Sequence, residues 1–168
     1  MKARVYAAVA ALAAIGATAA HAQFVDYGSE AGWDIKVNEQ MGPGCLVTQT
    51  TPDGMQIQMG INLTHSAPEG YIALYAQNDP NVSQDEVISV TFDVDGEKFI
   101  GDFKGQEQRE GWRGAFVRVN NPDFVYDLAK KQTLTITADD GRDPVVIDLT
   151  GTNAAFEALR ACQDAQAS

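Results

Sequence analysis

Residues 55–63 read Met-Gln-Ile-Gln-Met-Gly-Ile-Asn-Leu, with an apolar side chain at every odd position and a polar residue or glycine at every even one. A period of two is typical of a β-strand that has one face in a protein core and the other towards solvent. This stretch therefore predicts a half-buried strand and indicates a β-rich protein.

A second alternating stretch leads into a predicted hairpin. Apolar residues at positions 88, 90, 92 and 94 alternate with polar ones, and the pair Asp95-Gly96 then favours a tight turn into a partner strand over residues 98–103. Turn residues separate the other strand-like segments. These further strands are predicted at residues 33–37, 45–50, 71–76, 115–119, 134–137 and 145–149.

Two short helices interrupt the strand pattern. The first is predicted over residues 122–131 with Asn121 as its N-cap, and the second follows Thr152, which is predicted to cap it. Cys162 lies on the apolar side of this second helix. Together these elements predict a mainly β fold. We expect an antiparallel β-sandwich, jelly-roll-like, with two short helices, the last at the C-terminus.

The N-terminus has the three parts of a secretory signal peptide. Lys2 and Arg4 form a basic start, an uncharged alanine-rich run follows, and Ala20-His21-Ala22 matches a small-x-small cleavage site. We expect residues 1–22 to be removed and residues 23–168 to form one domain, periplasmic or secreted. The alanine-rich run is too weakly apolar to favour a membrane anchor, so no membrane insertion is expected.

The chain has two cysteines, Cys45 and Cys162. Export would place both in an oxidising compartment, where pairing is the natural interpretation. Two buried free thiols are the alternative. A metal site is less favoured, because the two cysteines and His65 show no spacing typical of ligands.

The charge balance disfavours two classes of partner. Cleavage after residue 22 would remove two of the 12 basic residues and none of the 23 acidic ones, which leaves a net charge of −13. A surface this acidic repels phosphate backbones and anionic lipids. We therefore expect neither nucleic acid nor a membrane as the partner, and another protein is the favoured one.

Known catalytic patterns are missing from the sequence. Beyond the signal peptide, His65 is the only histidine, and no G-x-S-x-G motif accompanies it. Acidic residues are so frequent that no pair of them indicates a glycosidase. The cluster at residues 93–97 lacks the spacing of a calcium loop and is better explained as a turn. We expect no catalytic residues, no metal and no cofactor.

Residues 98–118 stand out as locally basic, with five basic residues against three acidic ones. Within this window, residues 104–114 are predicted to form a basic loop that contains Trp112. Arginine and tryptophan often dominate protein interfaces, so the loop is a candidate binding element. The alternative is that Trp112 folds back onto the domain while the arginines are solvated. The candidate binding residues are Lys104, Arg109, Trp112 and Arg113.

Several short motifs in chain order resemble the invasion-associated locus B family. They are Trp33-Asp34-Ile35-Lys36-Val37, Cys45-Leu46-Val47-Thr48-Gln49, Asp95-Gly96 and Val146-Ile147-Asp148-Leu149-Thr150-Gly151 leading into Ala154-Ala155. The resemblance implies an exported protein of Gram-negative bacteria with a β-sandwich-like fold and a short final helix. Some members of that family are linked to host-cell invasion. The family implies no catalytic residues.

Three functions remain open from the sequence. The first is a non-enzymatic periplasmic or secreted binding protein that acts in the cell envelope or in host interaction, and a specific form of it is an inhibitor of an envelope-directed enzyme. The second is a carbohydrate hydrolase that uses unidentified carboxylates. The third is a structural role in the envelope without a discrete ligand.

Overall fold

The described part of the chain forms one continuous antiparallel sheet of ten strands with two α-helices. The structure, a computed structural model, describes residues 24–79, 81–109 and 111–166, so the predicted signal peptide lies outside the described residues. The strands are ordered β1-β2-β3-β4-β5-β8-β7-β6-β9-β10 across the sheet. In chain order they are β1 (Phe24–Glu30), β2 (Trp33–Asn38), β3 (Gly44–Thr50), β4 (Gln56–Asn62), β5 (Glu69–Gln77), β6 (Val87–Val94), β7 (Glu97–Arg109), β8 (Trp112–Val119), β9 (Thr133–Ala138) and β10 (Val145–Asp148).

The alternating stretches are confirmed as strands, but β4 is not half-buried as predicted, because Gln58 and Asn62 on its other face are buried as well. The odd positions of β4 are buried and belong to the main hydrophobic core. β6 and β7 form the predicted hairpin, and both residues of its turn have a positive φ, 52° at Asp95 and 90° at Gly96. Asp and Gly are among the residues that adopt this conformation most readily. The turn is also fixed to the neighbouring strand, because the Asp95 carboxylate accepts hydrogen bonds from the backbone of Gln132 and Thr133.

The sheet curls back on itself. Met55 precedes β4 and Val145 begins β10, which is six positions further across the sheet, yet both side chains line the same cavity. Neighbouring strands are about 4.8 Å apart, so a flat sheet would separate these residues by nearly 30 Å. The curvature gives the strands and both helices a shared core.

The C-terminal helix α2 (Asn153–Gln166) packs on β1, β2 and β3. The predicted disulfide is confirmed: Cys162 of α2 bonds Cys45 of β3, with 6.1 Å between their Cα atoms. The first helix, α1 (Asp123–Asp127), is shorter than predicted and continues as a 3-10 turn over residues 128–130. The hydroxyl of Thr152, predicted as the cap of α2, donates instead to the carbonyl of Leu149.

Residues 104–114 are not the loop that the sequence predicts. They belong to a second hairpin, in which Lys104, Gly105 and Gln106 of β7 pair with Phe116, Ala115 and Gly114 of β8, respectively. Glycines and charged residues hide the alternation here. The prediction of a basic loop is therefore wrong, and Lys104, Glu107 and Arg113 lie on strands.

Candidate binding site

The strand β7 changes partners along its length. Residues 97–104 pair with β6, whereas the pairing with β8 begins only at Lys104, opposite Phe116. β8 continues to Val119 while paired with β5 on its other side. Residues 97–103 of β7 and 117–119 of β8 are therefore not paired with each other, and we call the gap between them the split.

The free edge of β7 presents backbone hydrogen-bonding groups to the split. The N–H and carbonyl of Gly105 both bond to the segment that precedes β6, at Glu86 and Asp85. Backbone groups alternate in direction along a strand, so those of Ile100 and Asp102 point the opposite way, towards the split. Within the described residues, no strand pairs with this edge.

The split is an apolar groove. Its cavity has a volume of about 440 Å³ and continues to the side chains of the core. Ile100 is 84% exposed and Phe99 is 41% exposed, which is unusual for large apolar side chains on neighbouring positions. The apolar residues lining the groove are Ile72, Phe92, Phe99, Ile100, Val117, Val119 and Phe124.

Contacts close both ends of the split. At one end, the rings of Phe99 on β7 and Phe124 on α1 meet edge to face, with 6.2 Å between their centroids. At the other end, the pair Lys104–Phe116 joins the two strands. The groove is consequently closed at both ends. Between these ends it lies between the unpaired edges of β7 and β8.

Two cations stand on the outer rim of the split, Lys104 and Arg118. The ammonium of Lys104 lies 2.8 Å from Asp85, and the hydrogen bond and charge of Lys104 lower the pKa of that carboxyl. Both residues are exposed, so this ion pair contributes little stability.

Arg118 belongs to a polar cluster beside the rim. Its Nε lies 3.9 Å from Glu69 and its Nη1 lies 3.2 Å from Nε2 of His65, which is itself 3.6 Å from Glu69. The guanidinium also lies over the ring of Phe116, 5.3 Å from its centroid. Arg118 is thereby held against the sheet beside the split.

The four candidate binding residues predicted from the sequence all lie on the β7–β8 hairpin. Lys104 borders the split, whereas Trp112 and Arg113 lie near the hairpin tip. Arg113 is exposed, with its Nε 3.8 Å from Glu107. Arg109 pairs with Trp112 through the backbone, and its side chain is outside the described part of the chain. The structure thus brings only Lys104 to the groove.

Trp112 folds back onto the sheet, as the alternative interpretation predicts. It is half-buried and packs against an outer cluster, on the sheet face opposite the main core, together with Phe24 and Phe116. The buried members of this outer cluster are Leu46, Tyr71, Ala73 and Tyr75. A structural role accounts for the buried part of the indole.

The sequence analysis missed Ile100 and Asp102, which face the split. One signal was available for Ile100: in the predicted strand over residues 98–103 it occupies an outward position, where a polar residue is expected. For Asp102 we find no such signal, because the direction of its backbone groups depends on which strand pairs with which.

Comparisons with protein-family models, with characterised proteins and with solved structures find no match. The resemblance to the invasion-associated locus B family therefore stays a prediction. Among residues 24–79, 81–109 and 111–166, no group of three or more His, Cys, Asp or Glu residues is arranged to hold a metal ion. In the same residues, no helix is long and apolar enough to cross a membrane.

Proposed function

We propose that this protein is a non-enzymatic, exported binding protein that takes up an extended segment of a partner protein in the split. The observation that carries the proposal is the free edge of β7 beside an apolar groove. A strand edge with unpaired N–H and carbonyl groups is a template for another chain, and adding a peptide strand to such an edge is a recurrent mode of recognition.

The hydrogen-bonding capacity of the edge defines the form of the partner. Ile100 and Asp102 each offer one N–H and one carbonyl in the direction of the split, which allows up to four hydrogen bonds to an extended backbone. Each contributes a net stabilisation of about 0.5–1.5 kcal/mol. A compact or helical ligand has no free backbone groups to match this edge.

The groove and its rim define the side chains of the partner. Alternate residues of an added strand would point into the apolar groove and would be apolar. The residues between them would face the outer rim, where the cations are Lys104 and Arg118 and the acids are Asp102 and the ion-pair partners Asp85 and Glu69. Because the pair of Lys104 with Asp85 is exposed and weak, an acidic side chain of the segment can replace Asp85 beside Lys104. The strongly acidic remainder of the chain repels such a segment, which favours binding at the split over binding elsewhere.

The proposal also covers the cellular location of the protein and the arrangement of its curled sheet. The disulfide between Cys45 and Cys162 and the signal-like N-terminus support a periplasmic or secreted protein. The curled sheet supports a sandwich-like arrangement of its two halves, jelly-roll-like as the sequence suggests. The resemblance to the invasion-associated locus B family fits this picture and adds a link to host interaction.

A defined peptide tests the proposal. The probe is an acetylated and amidated hexapeptide of alternating valine and glutamate, added to the oxidised protein and followed by NMR. We expect the backbone amides of Ile100 and Asp102 to gain protection from hydrogen exchange. We also expect a peptide of alternating valine and lysine to bind about tenfold more weakly, a difference of about 1.4 kcal/mol.

Two serine variants serve as a matched pair. Ile100→Ser removes an exposed apolar side chain at the split, and Val146→Ser removes one that is 64% exposed on the edge strand β10. Only the first should weaken peptide binding. The proposal is wrong if millimolar peptide leaves both amides unprotected, or if both variants weaken binding equally.

A further inference from the structure

A second cavity lies inside the curled sheet, at the end away from the disulfide-linked helix. It is formed where β5 and β8 face β6, β7 and β9, and its walls are mostly apolar. The wall residues include Leu74, Ile88, Val90, Phe103, Ala115 and Ile136. None of these lines the split, so the two sites are separate.

The size of this cavity fits one small apolar group. Its volume is about 150 Å³, the volume of an apolar protein cavity known to take up benzene. Whole drug-sized ligands need pockets of roughly 300 Å³ or more, so the occupant is a small molecule or the end of a longer one.

The charges at the mouth define the polar end of the occupant. Asp79, Arg142 and Asp143 line this part of the cavity. The guanidinium of Arg142 is already engaged, because its Nε lies 2.9 Å from Asp140 and its Nη2 lies 3.6 Å from Glu86. Nη2 also donates to a backbone carbonyl 2.8 Å away.

The two remaining carboxylates of the mouth, Asp79 and Asp143, have no cationic partner among the described residues. In the described part of the chain, no Lys, Arg or His forms an ion pair with Asp79 or Asp143. The Oδ1 of Asp79 accepts the backbone N–H of Asn81, which holds this carboxylate in place. The mouth therefore has an excess of negative charge next to an apolar interior.

We propose that this cavity binds small amines with a benzene-sized apolar body, which enters the apolar interior while the ammonium stays between Asp79 and Asp143. An apolar body in a preformed cavity supplies affinity, and a cation at an acidic mouth supplies orientation. An anionic head group of the same size is disfavoured, because Arg142 is already neutralised by Glu86 and Asp140.

Three probes of nearly equal size test the head-group preference: benzylamine, benzyl alcohol and sodium benzoate. Their binding to the oxidised full chain is measured at pH 7 by ligand-observed NMR and by the shift in melting temperature. We expect benzylammonium to bind at least tenfold more tightly than benzoate, with benzyl alcohol between them. Equal binding of benzylammonium and benzoate, or no binding of either at millimolar concentration, overturns the proposal.

Cavity-filling variants locate the site. Ala115→Leu and Ala138→Leu each extend a side chain into the cavity, and each should weaken benzylammonium binding at least tenfold. The same change at the exposed Ala161 of α2, Ala161→Leu, is the control and should leave binding unchanged. If Ala115→Leu and Ala138→Leu both fold and still bind benzylammonium as tightly as the control does, the cavity is not the site.

Asp143→Asn is the variant that keeps the test valid if a filled variant does not fold. Asp143 is exposed, so its replacement should leave the fold intact while the ratio of benzylammonium to benzoate affinity falls at least threefold. An unchanged ratio overturns the proposal. Because the split lies elsewhere on the sheet, loss of peptide binding at Ile100 does not affect this result, and the two proposals fail independently.

Discussion

Lys104 and Phe116 form the first pair between β7 and β8, and from this pair the two strands diverge. The N-terminal part of β7, from Glu97 to Phe103, is paired only with β6. A strand in the middle of the sheet order therefore has a free edge over half of its length. The divergence places backbone groups of a central strand at the surface, which is the property on which the proposed function depends.

Proline substitutions test whether this edge is free. Proline lacks the backbone N–H and is tolerated on edge strands, but it removes a ladder hydrogen bond elsewhere in a sheet. Ile100→Pro should cost less than about 1 kcal/mol of unfolding free energy in a urea titration, because the N–H of Ile100 faces the split. Gly101→Pro should cost about 3 kcal/mol or more, because its N–H faces β6.

Gly101→Ala is the matched control for the proline pair. A Cβ at Gly101 would lie 3.1 Å from the ring of Phe92, so part of the effect of proline there comes from the added carbon. Subtracting the effect of alanine isolates the lost hydrogen bond. Equal losses of stability for Ile100→Pro and Gly101→Pro would show that the Ile100 amide is already bonded.

The disulfide should carry a large part of the stability of the chain. It joins positions 117 residues apart, and bridges across loops of about 100 residues are expected to contribute up to about 4.7 kcal/mol, with 2–4 kcal/mol usual. We expect the double variant Cys45→Ala/Cys162→Ala to lose about 2–4 kcal/mol in urea titrations, with faster hydrogen exchange in α2.

Gln163→Ala tests how much of the stability of α2 comes from a polar contact with β3 rather than from the disulfide. The side chain of Gln163 accepts the backbone N–H of Cys45 at 3.0 Å, so its removal breaks a second tie between α2 and β3. We expect a loss of about 1 kcal/mol. A loss as large as that of the double cysteine variant would mean that the helix is held chiefly by polar contacts.

Gly105 of β7 should not tolerate a larger residue. A Cβ there would lie 2.1 Å from the carbonyl oxygen of Ser83, whereas a Cβ at Gly28 of β1 would have no neighbour within 4 Å. Backbone oxygen cannot move aside as a side chain can. Gly105→Ala should therefore cost about 1–3 kcal/mol, and Gly28→Ala, measured in the same thermal unfolding assay, should be nearly neutral.

The regular strands were predictable because the face of each strand that enters the main core is apolar, which produces alternation in the sequence even where, as in β4, the other face is also buried. The exceptions have physical reasons. β1 was missed because it is an edge strand with mostly exposed residues, which need not alternate. The start of β8 was missed because Gly114 interrupts the pattern. A Cβ at Gly114 would lie 1.9 Å from the carbonyl oxygen of Leu74, a close approach between strands distant in sequence.

The disulfide could be predicted and the split could not. Two cysteines in a chain with a predicted signal peptide allow one intramolecular pairing, and the apolar face of the predicted last helix placed Cys162 towards the core. The split exists because the β7–β8 ladder ends at Lys104 while the β6–β7 ladder continues to Glu97. That is a property of the pairing of β7 with both β6 and β8, and no local pattern in residues 97–119 encodes it.

Tyr71 has a buried hydroxyl that should be dispensable. Its side chain belongs to the outer cluster, and its hydroxyl has no hydrogen-bond partner within the described residues. A buried polar group without a partner costs about 1–3 kcal/mol, so Tyr71→Phe should raise the unfolding free energy by about 1 kcal/mol at pH 7. Tyr27→Phe, at an exposed position of β1, should leave it unchanged.

The same tyrosine should limit stability at alkaline pH. Burial, together with the neighbouring Tyr75, raises the pKa of Tyr71 above its ordinary value of about 10. The folded state thus keeps the neutral phenol while the unfolded state ionises, so stability is complete below pH 10 and falls as pH rises above it. Between pH 9 and pH 11 the native chain should lose about 1.4 kcal/mol more than Tyr71→Phe. Parallel stability curves for the two proteins over this range would mean that water reaches the Tyr71 hydroxyl.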